Sequence, residues 1–224
     1  MKKSICLLLI FLSACATFSP NKSEVQKSPT PEKELKLIIP NAGWEKIFFN
    51  GIDENDVRGI NKVASLDGFS KLRETILPEN DFEMRVWVGF GLFGIDGFIL
   101  KRTSDNWSAT ALKRMLCHLE NRAKVNLAEP KSGWENFWQK LVNEGILTLP
   151  DSSELKKYGS GVVDGKSYVV ELNKEFVYRT YKYSNPKYVK LKEAKHMVNI
   201  GNIIADEFGL ESFSSESGGC KKNE

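Results

Sequence analysis

The sequence has few of the residues and spacings that reveal a familiar chemistry. Its 224 residues include four cysteines and two histidines, and C-x-x-C, H-E-x-x-H and G-x-S-x-G spacings are absent. These spacings place metal ligands or a nucleophilic serine, so neither a zinc site nor a serine hydrolase is indicated. Four cysteines are too few for a disulfide scaffold. No repeat of roughly 20–50 residues is apparent, so a solenoid is not indicated either.

An excess of charge of one sign is also lacking. The 32 basic and 29 acidic residues give a formal net charge of +3, and 41% of the residues are hydrophobic. A chain this close to neutral is not expected to bind nucleic acid through its overall charge. Its apolar content is too high for a chain that is disordered throughout. The composition therefore predicts a globular protein with no nucleic-acid partner.

The most apolar run of the sequence lies at its beginning. Lys2 and Lys3 precede residues 4–12, Ser-Ile-Cys-Leu-Leu-Leu-Ile-Phe-Leu, and two small residues follow. A charged start, a short apolar run and small residues are the plan of a secretory signal peptide. A membrane-spanning helix needs roughly 20 apolar residues. We therefore expect residues 1–14 to direct export and not to span the membrane.

Leu12-Ser13-Ala14-Cys15 resembles the lipobox of bacterial lipoproteins. The resemblance implies cleavage before Cys15 and attachment of a diacylglyceryl group to its sulfur, often with acylation of the new amino terminus. Two or three chains make a firm membrane anchor, whereas one chain binds only marginally. Ala16, where some family members have Asp, favours the outer membrane over the inner one. The membrane is thus the first expected partner.

The mature chain divides into three parts. Residues 15–34 combine the lipidated cysteine with a Pro-, Ser- and charge-rich tether, 35–211 form a single domain, and 212–224 are a polar tail. Loss of residues 1–14 removes two lysines and lowers the formal charge from +3 to +1. Cys117 and Cys220 then remain as a disulfide or as free thiols, and the Gly-Gly-Cys-Lys-Lys setting of Cys220 favours free thiols.

Strand patterns occupy the middle of the domain. Residues 83–90 alternate, with Met84, Val86, Val88 and Phe90 on one face. Residues 95–102, 107–112 and 124–127 follow after short connections, which antiparallel strands allow. A second hairpin is predicted from 167–172 and 175–183, with Asn173-Lys174 as its turn.

Helix patterns surround these strands. Ser132-Gly-Trp-Glu135 predicts a capping box, and apolar residues then recur at helical spacing to Gly145. The two tryptophans of this stripe favour core packing, with an aromatic ligand platform as the alternative. A last helix is predicted over 188–208, and shorter ones near Ile60 and Leu72. The predicted fold is α+β: antiparallel hairpins with an amphipathic helix between them and a C-terminal helix packed on the sheet.

Three sequence features resemble catalytic or nucleotide-binding sites and are better explained otherwise. Gly89-Phe-Gly-Leu-Phe-Gly94 has the G-x-G-x-x-G spacing, but a strand follows it where a dinucleotide fold needs a helix. Cys117 and His118 are neighbours, and adjacent strand residues point to opposite faces. His196 falls on the polar stripe of the last helix, where we expect it to be solvated. No catalytic residue, metal ligand or cofactor site is therefore predicted.

The polar and aromatic residues of the second hairpin form the candidate binding surface. Glu171 and Arg179 are expected to meet across the hairpin, with Tyr181 and Tyr183 beside them. Tyrosine combines an apolar ring with a polar tip and is common at interfaces. The alternative is a structural ion pair with tyrosines covering one face of the sheet. This hairpin, the Trp134 helix and its exit, 146–150, together resemble domains of uncharacterised bacterial lipoproteins, which brings no known activity.

These observations predict a lipid-anchored envelope protein with a non-catalytic binding or interaction role and an envelope protein as a further partner. An envelope hydrolase, with a site assembled from residues remote in sequence, is the alternative. A host-facing surface antigen is a third class. Ionisable groups that meet in a deep cleft would favour the hydrolase, and an exposed tyrosine-rich face would favour the binding protein.

Overall fold

The computed structural model describes residues 34–51, 59–90, 94–104, 106–113, 123–159, 161–162 and 165–214. Its strands are β1 (Lys36–Ile38), β2 (Phe82–Gly89), β3 (Ile95–Thr103), β4 (Asn106–Lys113), β5 (Ala123–Leu127), β6 (Ser167–Lys174) and β7 (Val177–Ser184). Its α-helices are α1 (Trp44–Asn50), α2 (Ile60–Leu66), α3 (Trp134–Asn143) and α4 (Lys192–Phe208). The sheet order is β1-β7-β6-β2-β3-β4-β5. The predicted α+β class is confirmed.

The predicted meander is present. Strands β2, β3, β4 and β5 pair in sequence, each antiparallel to the next. Gly89 pairs with Ile95, and the Phe90 amide donates to the Gly94 carbonyl at 2.7 Å. The glycine motif therefore belongs to a strand connection, as its sequence indicated.

The turn of the second hairpin lies two residues later than predicted. Lys174 pairs with Val177, and Glu175 and Phe176 form the turn with φ values of 53° and 63°. These angles suit a two-residue hairpin turn, although neither residue is a usual one for it. The predicted turn residue Asn173 is buried in β6, where its amide donates to the Leu72 and Thr75 carbonyls.

Both faces of the sheet are covered. Alternate residues of the central strands form one core beneath α3 and α4, with Met84, Val86 and Val88 on that face as predicted, whereas Phe90 packs against the core on the other face. The other residues, among them Trp87 and Val169, form a second core with α1 and α2. The sequence indicated only part of this second layer, because α1 and β1 are too short for a clear periodic pattern. β1 joins β7 in the one parallel pairing of the described sheet.

Helix α3 begins where it was predicted to begin, but without a capping box. Its N-cap is Gly133, and no side chain caps it. The Ser132 amide and hydroxyl both donate to Glu207 of α4, and Glu135 accepts a bond from Trp107. The capping-box prediction is wrong because tertiary partners occupy both of its members.

Two other helix predictions need correction. α4 begins at Lys192 and not at 188, since Val189 and Leu191 are extended, while Gly209 ends it with φ 68° as predicted. Only the short 3₁₀ turn Leu72–Glu74 occurs where a second early helix was expected.

Several predicted features lie outside the described residues: the signal peptide, Cys15, residues 16–33, the Cys117–His118 pair and Cys220. No helix within the described ranges is long and apolar enough to cross a bilayer.

Candidate functional site

The four residues of the predicted binding surface do not lie together. Glu171 pairs with Thr180 and Leu172 pairs with Arg179, so Glu171 and Arg179 point to opposite faces of the sheet. The expected contact between Glu171 and Arg179 is therefore wrong, because Arg179 is one residue away from the position that pairs with Glu171. Glu171 is 2% exposed, and Tyr181 and Tyr183 are 0% exposed. These residues do not form one exposed surface.

Glu171 is a buried anchor between three strands. Its carboxylate accepts hydrogen bonds from Trp87 Nε1 at 2.7 Å and from the Tyr178 hydroxyl at 3.0 Å. Burial raises the pKa of Glu171, and the nearby positive charge of Arg85 opposes that shift. Arg85 itself is held by Glu83 and the Ser70 carbonyl. The enclosed carboxylate of Glu171 therefore joins neighbouring strands and is not available to a ligand.

Arg179, Tyr181 and Tyr183 hold the segment that leaves α3. The Tyr181 hydroxyl donates to the Ile146 carbonyl at 2.7 Å, and the Tyr183 hydroxyl donates to the Pro150 carbonyl at 2.8 Å. Arg179 donates to the carbonyls of Leu147 and Leu149, the first at 2.9 Å. The polar tips thus satisfy backbone carbonyls of the segment that follows α3.

The tryptophans of α3 also have packing partners. The rings of Trp134 and Trp107 stack 6.4 Å apart, and Trp138 contacts Phe82. Arg102 lies over Trp107 on β4. These side chains are half-buried against the core beneath α3. The arrangement agrees with core packing and does not present a free aromatic platform.

His196 links α4 to the end of α3. Its Nδ1 lies 2.8 Å from Glu144 Oε2, which also accepts a bond from Asn199 at 3.0 Å. Partial burial alone would raise the pKa of Glu144, but the bonds from His196 and Asn199 outweigh it and lower that pKa. The histidine that was expected to be solvated is therefore half-buried and paired.

The best candidate site is a groove between the end of β7 and the first half of α4. Its volume is about 630 Å³. We call it the lysine groove, and it is lined by Pro186, Lys187, Val189, Lys190, Leu191, Lys192, Lys195 and Val198. Half of these residues are lysines and none is acidic. The lining therefore combines a cationic rim with an apolar floor.

The loop beneath the lysine groove is firmly built. Asn185 has φ 52°, its amide N–H donates to the Lys166 carbonyl, and its side chain donates to the Val162 carbonyl. Gly165 packs against it so closely that an added Cβ would lie 1.8 Å from Asn185 Oδ1. Pro186 and Val189 are buried on the core side. These contacts hold the floor in place while the lysines remain exposed.

The lysine groove brings four positive charges together, with the acidic Glu193 in the same first turn of α4. Lys192 and Lys195 lie in the first turn of α4, where the positive end of the helix dipole disfavours cations. Lys187 and Lys190 bring two more positive charges to the same place. Such a concentration is compensated when an anion binds. Residues that conflict with local structure in this way occur at functional sites.

The lysine groove was not predicted. Lys192 and Lys195 lie on the same polar stripe of the last helix as His196, and that pattern predicts only exposure to solvent. A signal was present, because four lysines and one acidic residue occur between Lys187 and Lys195. What the sequence could not show is that an extended segment, 189–191, separates the lysines into two walls around an apolar floor.

Among the described residues, no group of three His, Cys, Asp or Glu side chains could hold a metal ion. Comparison with protein-family models, with curated proteins and with solved structures found no match for this chain.

Proposed function

We propose that the protein is an exported bacterial lipoprotein, anchored by Cys15 in the cell envelope, whose folded domain binds an anionic ligand in the lysine groove and catalyses no reaction. The observation that carries the binding role is the groove itself, with four lysines and no acidic residue in its lining. The anchor is supported by Leu12-Ser13-Ala14-Cys15 and the apolar run before it. The membrane is the anchor's partner.

A binding role fits the lining better than the alternative of a hydrolase. Pro, Val, Leu and Lys side chains supply charge and apolar contact, and none of them forms a nucleophile–base pair with another lining residue. Burial raises the pKa values of Glu171 and Tyr178, which lie in the core and bond to each other. The described groups with perturbed pKa values therefore do not meet in this cleft.

The binding role is tested with the soluble chain that begins at residue 16 and with tripolyphosphate as the anionic probe. The groove variant carries Lys190→Gln, Lys192→Gln and Lys195→Gln. We expect calorimetric titration to show affinity reduced by about tenfold or more, since each lost charge removes part of the attraction.

The matched control carries the same change in charge at exposed lysines elsewhere: Lys46→Gln, Lys62→Gln and Lys156→Gln. It should bind tripolyphosphate as the unchanged chain does. An equal loss in both variants, or no binding by the unchanged chain, would contradict the proposed site.

The anchor is tested separately by Cys15→Ser in the full precursor. We expect this variant to lose labelling by an alkyne fatty acid and to leave the membrane fraction, because a hydroxyl cannot form the thioether. Cys6→Ser is the control and should retain both properties, since residue 6 lies within the proposed signal peptide. Labelling and membrane retention that persist in Cys15→Ser would refute the anchor.

A further inference from the structure

The apolar half of the lysine groove narrows the class of ligand. Pro186 and Val189 are buried, and Leu191 and Val198 are half-buried, so the floor continues the core. An inorganic anion would use only the rim, and a neutral apolar ligand would use only the floor. A ligand that satisfies both surfaces has a charged head and an apolar body.

The cations of the rim indicate the chemistry of the head. All four are lysines and none is arginine. An arginine fork matches a planar carboxylate in a bidentate way, whereas a lysine acts as a compact point charge. Several point charges around one place suit a group that carries more than one negative charge, such as a phosphate monoester. The volume of about 630 Å³ lies in the range of small-molecule sites.

The shape of the groove favours one lipid molecule over the surface of a bilayer. Proteins that lie on a membrane present protruding apolar side chains on a helix face. Here Val189, Leu191 and Val198 are recessed between lysines, and Tyr188 is the large apolar residue beside them that is well exposed, at 58%. A lipid can therefore contact these apolar side chains only by entering the groove.

We propose that the lysine groove binds a single phosphate-bearing lipid, with its apolar part on the floor and its phosphate among the lysines. This inference rests on the proposed anion-binding function and adds the lipid part to it. The charge of the rim and the apolar floor are both needed for full affinity.

The test compares dihexanoyl phosphatidic acid, below its micelle concentration, with glycerol 3-phosphate, which has the same head without the chains. The floor variant carries Leu191→Asn and Val198→Gln. Asn is a favourable N-cap, so the substitution at Leu191 preserves the start of α4. The control carries Ile47→Gln and Val125→Thr at exposed apolar sites in other elements.

We expect the unchanged chain to bind the lipid about tenfold or more tightly than glycerol 3-phosphate, a factor that burial of about two methylenes supplies. The floor variant should lose that advantage and keep its affinity for glycerol 3-phosphate. The control should bind both probes as the unchanged chain does. The groove lysine variant should lose affinity for both.

Three results would overturn the inference. Equal affinities of the unchanged chain for the two probes would remove the lipid part and leave the proposed anion-binding function intact. If the unchanged chain binds neither probe and also fails the tripolyphosphate test, both the lipid inference and the proposed anion-binding function are refuted. Binding to phosphatidic acid vesicles without binding to the monomeric lipid would indicate docking on a bilayer surface instead.

Discussion

At the scale of single residues, Glu171 connects three strands through its carboxylate. Replacement by Ala leaves the Trp87 and Tyr178 donors buried without a partner. We expect Glu171→Ala to lower the free energy of unfolding by about 3 kcal/mol in urea denaturation, since each orphaned donor costs about 1–3 kcal/mol. Glu171→Gln keeps an acceptor for one of them and should cost less. A Gln variant as unstable as the Ala variant would contradict this explanation.

Glu171 also affects how the free energy of unfolding depends on pH. Burial raises the pKa of Glu171 in the folded chain above its ordinary value of 4.5. At a pH between the unfolded-state and folded-state pKa values, the folded chain therefore binds more protons than the unfolded chain. Its contribution to the free energy of unfolding is therefore greatest at low pH and is lost as pH rises through the folded-state pKa. Relative to Glu171→Gln, the unchanged chain should lose stability as the pH rises above 4.5. The opposite slope would refute a raised pKa.

At the scale of elements, Glu207 shows how α4 is joined to α3 and to the residue before its N-cap. Its carboxylate accepts from the Ser132 amide, the Ser132 hydroxyl and Lys140. We expect Glu207→Ala to lower the free energy of unfolding by about 2 kcal/mol, since it leaves the part-buried Ser132 amide and hydroxyl without their acceptor. Asp206→Ala, at the exposed neighbouring position, should have little effect. Equal losses in the two variants would show that the bonds of Glu207 to Ser132 and Lys140 do not account for the change.

The β6–β7 turn offers substitutions that should stabilise the fold. Glu175 and Phe176 have positive φ values, which Asn and Gly adopt more readily. We expect Glu175→Asn with Phe176→Gly to raise the free energy of unfolding by about 0.5–1 kcal/mol. Lys174→Gly is the control, because it creates Asn-Gly at the turn that the sequence predicted, where the structure has paired strand residues. It should destabilise the fold, and stabilisation by it would place the turn at 173–174.

These elements show how far the sequence could be used to predict the structure. Strands β2 to β5 and helices α3 and α4 were predictable because their apolar residues repeat over many positions. The turn at 175–176 was not, since its residues are unusual for such a turn. The lysine groove was not predicted because its walls come from an extended segment and a helix whose relative position depends on the core.

At the scale of the whole molecule, the described residues between 34 and 214 belong to one compact unit. We expect a chain that begins at Lys33 to have the same urea midpoint as a chain that begins at residue 16, because the described sheet starts at Lys36. A chain that begins at residue 39 lacks β1 and leaves the edge of β7 unpaired. It should be less stable by about 1 kcal/mol or more. A lower midpoint already in the chain from Lys33 would place part of the folded unit before that residue.

The parallel pairing of β1 has a mechanical consequence. In a chain anchored at Cys15, any pulling force on the domain enters through its N-terminal side and reaches β1 first. β1 has only three residues paired with β7, beginning near the Lys36 amide bond to the Phe176 carbonyl. β7 remains paired with all eight residues of β6. Under a pulling force, β1 should separate from β7 at low force and lengthen the tether, while the lysine groove at the other end of β7 stays folded.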